Sequence, residues 1–65
     1  MKQERIVEII ELYRHRAKAA REASLLDKSR EMDDFADFVE KNSGSFLEDA
    51  YTKESELWEE YENNY

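Results

Sequence analysis

Cysteine and proline are absent from this 65-residue chain, and glycine and histidine each occur once. Without cysteine there are no disulfides, no thiolate metal sites and no thiol nucleophile. Without proline, and with a single glycine, little interrupts long helices. No apolar run exceeds two residues, Ile6-Val7 and Ile9-Ile10 being typical, so neither a secretory leader nor a membrane span is expected. Leu, Ile, Val and Phe fill 13 positions, close to the roughly 20% floor below which chains tend to stay disordered. Three Phe, four Tyr and one Trp pull the balance back toward folding. The length allows one small domain, residues 1–65, and the composition predicts a soluble, cytoplasmic, all-α protein.

Charge is plentiful but uneven. The formal net charge is -7. Residues 1–30 carry +3, whereas residues 31–65 carry -10, with only Lys41 and Lys53 as bases. Such asymmetry points either to a partner or to the two halves lying against each other.

From residue 3 to 23 the apolar positions recur with helical spacing. Ile6, Ile9, Ile10, Tyr13, Ala17, Ala20 and Ala23 fall within an arc of about 140°, with Leu12 and Ala19 extending one edge and Val7 out of phase. The stripe is bulky in its first half and Ala-lined in its second, so a second helix is expected to approach closely near residues 17–23. A second pattern over 28–41 places Met32, Phe35, Ala36 and Val39 on one face. That face is rotated by roughly 90° from the first, which predicts a turn around Ser24 to Asp27, with Ser24 or Asp27 as a candidate cap; the alternative is a single helix from 3 to 41. Gly44 suits a helix end, and Ser45-Phe46-Leu47-Glu48 has the form of a capping box, giving a third helix over 46–62. Glu54 falls inside the apolar stripe of that third helix. Either its carboxylate is paired there, or the helix breaks near Thr52 and restarts. The expected architecture is a small three-helix arrangement, or a helical hairpin plus a third helix, whose limited core favours completion by dimerisation.

Three groups of residues are candidates for function. Arg14, Lys18 and Arg21 lie on one face at i, i+4 and i+7, a spacing able to follow a phosphate backbone, or to pair with the acids of the later helices. Asp33, Asp34, Asp37, Glu40, Glu48, Asp49, Glu56, Glu59, Glu60 and Glu62 form an acidic surface that can steer a basic partner or imitate a nucleic-acid backbone. Phe35, Tyr51 and Trp58 read as core. Phe38 and Phe46 stand off their stripes and Tyr61 and Tyr65 lie at a helix end, so exposed aromatics are expected to anchor an interface.

Catalysis has little to work with. His15 is four residues from Glu11 on a polar face, with no third ligand nearby. The serines lack a base and an orienting group, there is no Gly-rich phosphate loop, and Asp33-Asp34 and Glu59-Glu60 point apart on a helix. No enzyme activity, cofactor or metal is expected. The composition instead predicts a non-enzymatic acidic helical interaction protein, an adaptor, regulator or inhibitor of the kind carried by phages and mobile elements. It would bind a protein partner through Phe38, Phe46, Trp58, Tyr61, Tyr65, Asp34, Asp37 and Glu59, as a homodimer. Two alternatives stand beside it: mimicry of nucleic acid to block a DNA- or RNA-binding protein, and direct nucleic-acid binding through Arg14, Lys18 and Arg21. The net charge argues against the second.

Overall fold

A computed structural model describes residues 1–64, which form four helices and no strand: α1 Gln3–Glu22, α2 Leu26–Lys41, α3 Ser43–Phe46 and α4 Glu54–Asn63. The fold is all-α, as the periodicity predicts.

Helix α1 buries Ile6, Ile9, Tyr13, Ala17 and Ala20 of its apolar arc, whereas Ile10 is half-buried and Ala23, at the C-cap, is exposed. Val7, out of phase, is exposed, and so is Leu12 at the edge. Glu4 in the first turn and Arg21 in the last complement the helix dipole. The helix ends in a Schellman motif: the Leu25 N–H donates to the Ala20 carbonyl at 2.8 Å and the Ser24 N–H to that of Arg21 at 3.0 Å. The residue at the left-handed position is Ser24, with φ of 62°. Ser24 therefore closes α1, and neither it nor Asp27 caps α2, whose N-cap is Leu25 with no side-chain bond.

The turn sends α2 back along α1, and these two helices make the most extensive contact in the molecule. Small residues are buried toward the joined end, Ala17 and Ala20 from α1 and Ser29 from α2, in the stretch where the Ala face predicts a close approach. Larger side chains of the two helices, Ile6, Ile9, Tyr13, Phe35 and Val39, continue the core, which Phe46 and Leu57 join from outside the hairpin. Asn42 ends α2, its side-chain amide donating to the Phe38 carbonyl at 2.8 Å.

The third predicted helix, 46–62, is not continuous. Ser45 lies inside the single turn of α3 rather than at an N-cap, residues 47–53 are irregular, and the helix restarts at Glu54. A helix running unbroken through this stretch would hold the Glu54 carboxylate on the same face as Leu57 and Trp58. With the break, Glu54 keeps that face but becomes the first residue of α4, half-buried, where the helix dipole favours an acid. Gly44 has no positive φ and is part of α3, so the chain does not use its conformational freedom.

Helix α4 lies across the hairpin and inserts Leu57, which is fully buried. The molecule spans 37 × 24 × 17 Å. Since a helix with its side chains is about 10–12 Å across, the shortest dimension holds two layers, so α4 covers one face of the hairpin and leaves the other open.

Candidate functional site

The open face of the hairpin is where the two charged halves meet. Arg14 projects from α1 toward α2, where its guanidinium bonds Asp37 and lies 3.2 Å from Glu40 and 3.5 Å from Asp33. Arg21 pairs with the other Asp33 oxygen at 2.9 Å. The hydrogen bond to Asp37, reinforced by the charges of Asp37 and Asp33 and by Glu40 and opposed by partial burial, raises the pKa of Arg14 further above its already high value. Of the basic stripe, Lys18 alone has no ion pair among the described residues. The stripe is thus turned largely inward, onto the acids of α2, rather than presented as a row of free cations.

On the far edge of α2, Asp34, Asp37 and Phe38 line one cleft of about 350 Å³ together with Lys41, Asn42 and Asn64. Three of the predicted partner contacts thus come together there. Asp34 is exposed and, among the described residues, has no ion pair; Asp37 shares itself between this cleft and Arg14. Glu59 is exposed on α4 and likewise unpaired. Its neighbours Glu60 and Glu62 complete an acidic last turn that contains no base.

The aromatics depart from expectation. Seven of them form one connected chain of ring contacts, from Tyr13 to Phe35, Trp58, Tyr61, Phe38, Phe46 and Tyr51. Phe35 and Trp58 stack with centroids 3.8 Å apart and planes parallel to within 1°. The Trp58 indole N–H donates to the Tyr13 hydroxyl at 3.0 Å, tying α4 to α1. Phe46 is buried at 2% exposure, so it is a core residue and not the exposed contact its off-stripe position predicts. Its place is explained by neighbours that lie on other elements, Phe38 on α2 and Tyr51 in the irregular segment. Phe38, Trp58 and Tyr61 are half-buried rather than exposed. Tyr65 lies outside the described residues. The strongly exposed apolar side chains are Val7, Leu12, Leu25, Leu26 and Leu47, all aliphatic.

Two further groups are electrostatically perturbed where the irregular segment meets α4. The Glu56 carboxylate accepts from the backbone N–H of Thr52 at 3.3 Å, the Thr52 hydroxyl at 3.1 Å and the Lys53 N–H at 3.1 Å. These bonds, led by the Thr52 N–H, hold its pKa below the usual range for glutamate. Tyr51 is pushed up by desolvation first, and then by Glu60, Glu48 and Glu56.

Sequence reasoning missed a second cleft, lined by Tyr13, Arg16, Lys28, Glu31, Met32 and Trp58. Arg16 lies over the Tyr13 ring at 5.1 Å from its centroid. The available signal was that Arg16 and Lys28 stand off the stripe of Arg14, Lys18 and Arg21, next to residues that read as core. Among the described residues no group of three His, Cys, Asp or Glu side chains is arranged to hold a metal ion, and His15 is exposed. No helix is long and apolar enough to cross a membrane. Comparison with known proteins finds no family model, no curated protein and no solved structure that matches the chain.

Proposed function

We propose that this chain is a non-enzymatic helical interaction module, an adaptor, regulator or inhibitor that acts as a homodimer and receives a positively charged protein surface on its acidic α2 and α4 side. The observation that carries this reading is the division of the charges. Arg14 and Arg21 are occupied by Asp33, Asp37 and Glu40, while Asp34, Glu59 and Glu62 have no counter-ion among the described residues. The surplus of unpaired acid in the second half of the chain therefore lies on α2 and α4. A single-signed field of this kind speeds encounter with a basic partner and makes it salt-sensitive. The half-buried Phe38 in the floor of the Asp34 cleft supplies an apolar contact beneath the charges.

Direct binding of DNA or RNA through the basic stripe draws no support from this arrangement, since two of its three cations are already paired. Mimicry of nucleic acid is a narrower form of the acidic reading, in which the partner's basic groove normally holds DNA or RNA. The test is affinity capture from the native host with stepwise salt elution, using the wild-type chain beside a D34N/E59Q variant. We expect a partner with a basic surface that elutes with salt and that the variant fails to retain. Equal retention by both chains, or elution only with detergent, would sink the proposal. Competition of the captured partner with DNA or RNA separates the mimic from a general adaptor.

A further inference from the structure

We infer that the Trp58 cleft is the surface on which a second copy of this chain docks, with the carboxylates of α4 from one copy set over Arg16 and Lys28 of the other. This inference rests on the homodimer reading above and gives it a place, on a different side from the Asp34 cleft.

The cleft has an apolar floor, Trp58 and Met32, and a cation on each helical wall, Arg16 from α1 and Lys28 from α2. Arg14 and Arg21 are paired internally with acids of α2. Arg16 and Lys28 are left without an ion pair among the described residues, although Glu31 lines the same cleft and lies one turn from Lys28. The complementary surplus sits on α4. Glu62 follows Trp58 by one turn on the same helical face, exposed and unpaired. Helices α1 and α2 each carry a base in the last turn, Arg21 and Lys41, but α4 has none and ends in Glu59, Glu60 and Glu62. Carboxylates at a helix C-terminus oppose its dipole, and a cation brought against them offsets that cost.

A two-fold interface must be self-complementary, each residue meeting on the partner the residue that meets it. This patch carries the parts such an interface needs: an aromatic centre, Arg16 and Lys28 beside it without ion pairs among the described residues, and Glu62 one turn along α4 from Trp58. An axis through the Trp58 cleft brings Glu62 of each copy to Arg16 and Lys28 of the other and covers the exposed edge of the indole. A different partner would need the same arrangement of cation, aromatic and acid, which a second copy carries by construction.

Sedimentation equilibrium of the full chain, across a wide series of concentrations, tests the assignment with surface variants that leave the core untouched. The wild-type chain is expected to dimerise reversibly. Arg16→Glu and Glu62→Arg are each expected to weaken the dimer by about tenfold or more, and the double variant R16E/E62R to recover most of that loss, with helical circular dichroism unchanged throughout. A monomer at every concentration would overturn both the dimer and its placement. A dimer indifferent to the single variants, or a double variant no better than either, would overturn the placement alone.

Discussion

Ser24 holds a φ of 62°, a conformation that costs an L-residue about 1–2 kcal/mol and that glycine adopts freely. Gly44, by contrast, sits in α3 at negative φ, and a methyl group added there would meet nothing within 4 Å. The chain thus places glycine where its freedom is unused and serine where it is needed. Two substitutions are expected to stabilise the fold: Ser24→Gly, by relieving the left-handed strain, and Gly44→Ala, by reducing the entropy of the unfolded chain, each by about 0.5–1 kcal/mol. Urea denaturation reads both as a raised midpoint with an unchanged slope. The turn itself is legible in the sequence, because the apolar stripes of α1 and α2 are out of phase on one wheel. The residue that makes it is not, because the Schellman position is usually betrayed by glycine or asparagine and here is neither.

At the scale of elements, α4 is the part whose stability depends on a few named contacts. Glu56 favours the folded state while its carboxylate is ionised and accepting the Thr52 and Lys53 donors. Because its pKa is lowered on folding, that contribution is complete above the ordinary glutamate range and is lost as pH falls through the folded value. In a carboxyl-resonance titration Glu56 should reach its midpoint below the ordinary glutamate range, and amide protection at the start of α4 should fall with it. Glu56→Gln should remove this pH dependence. Leu57→Ala empties the fully buried anchor of α4 and is expected to cost about 2–5 kcal/mol, a large share of the stability of so small a domain. Hydrogen exchange should then show α4 opening ahead of the α1 and α2 hairpin. The break before α4 was legible only as a conflict, an acid within an apolar stripe beside a capping pattern at Ser45. The local cap loses because Phe46 is buried among rings from two other segments, which fixes the chain before a helix can run on from Ser45. Wheel reasoning treats each helix alone, and so it also misplaced Phe46 as an exposed contact.

For the whole molecule, charge and aromatics divide the labour by face: ion pairs span the open side of the hairpin and rings fill the side that α4 covers. The charge asymmetry between the halves made the first of these legible. The second was not, since its contacts join residues far apart in the chain. Because the guanidinium of Arg14 and its partner acids are substantially exposed, Arg14→Met is expected to cost only about 1 kcal/mol or less. The loss, read from urea midpoints, should shrink at high salt, as screening weakens the pairs that the wild type retains. A practical consequence follows from the stack of Trp58 on Phe35 and its bond to Tyr13. As the sole tryptophan, with Tyr13 and Tyr61 within 6 Å of it, it is an optical gauge built into the joint between α4 and the hairpin. Excitation energy absorbed by those tyrosines passes to it, and fixed ring geometry gives it a near-ultraviolet dichroism band. Lifting α4 abolishes the band and shifts the emission to the red while the helices still absorb in the far ultraviolet, so the seating of one helix can be timed apart from the coiling of the rest.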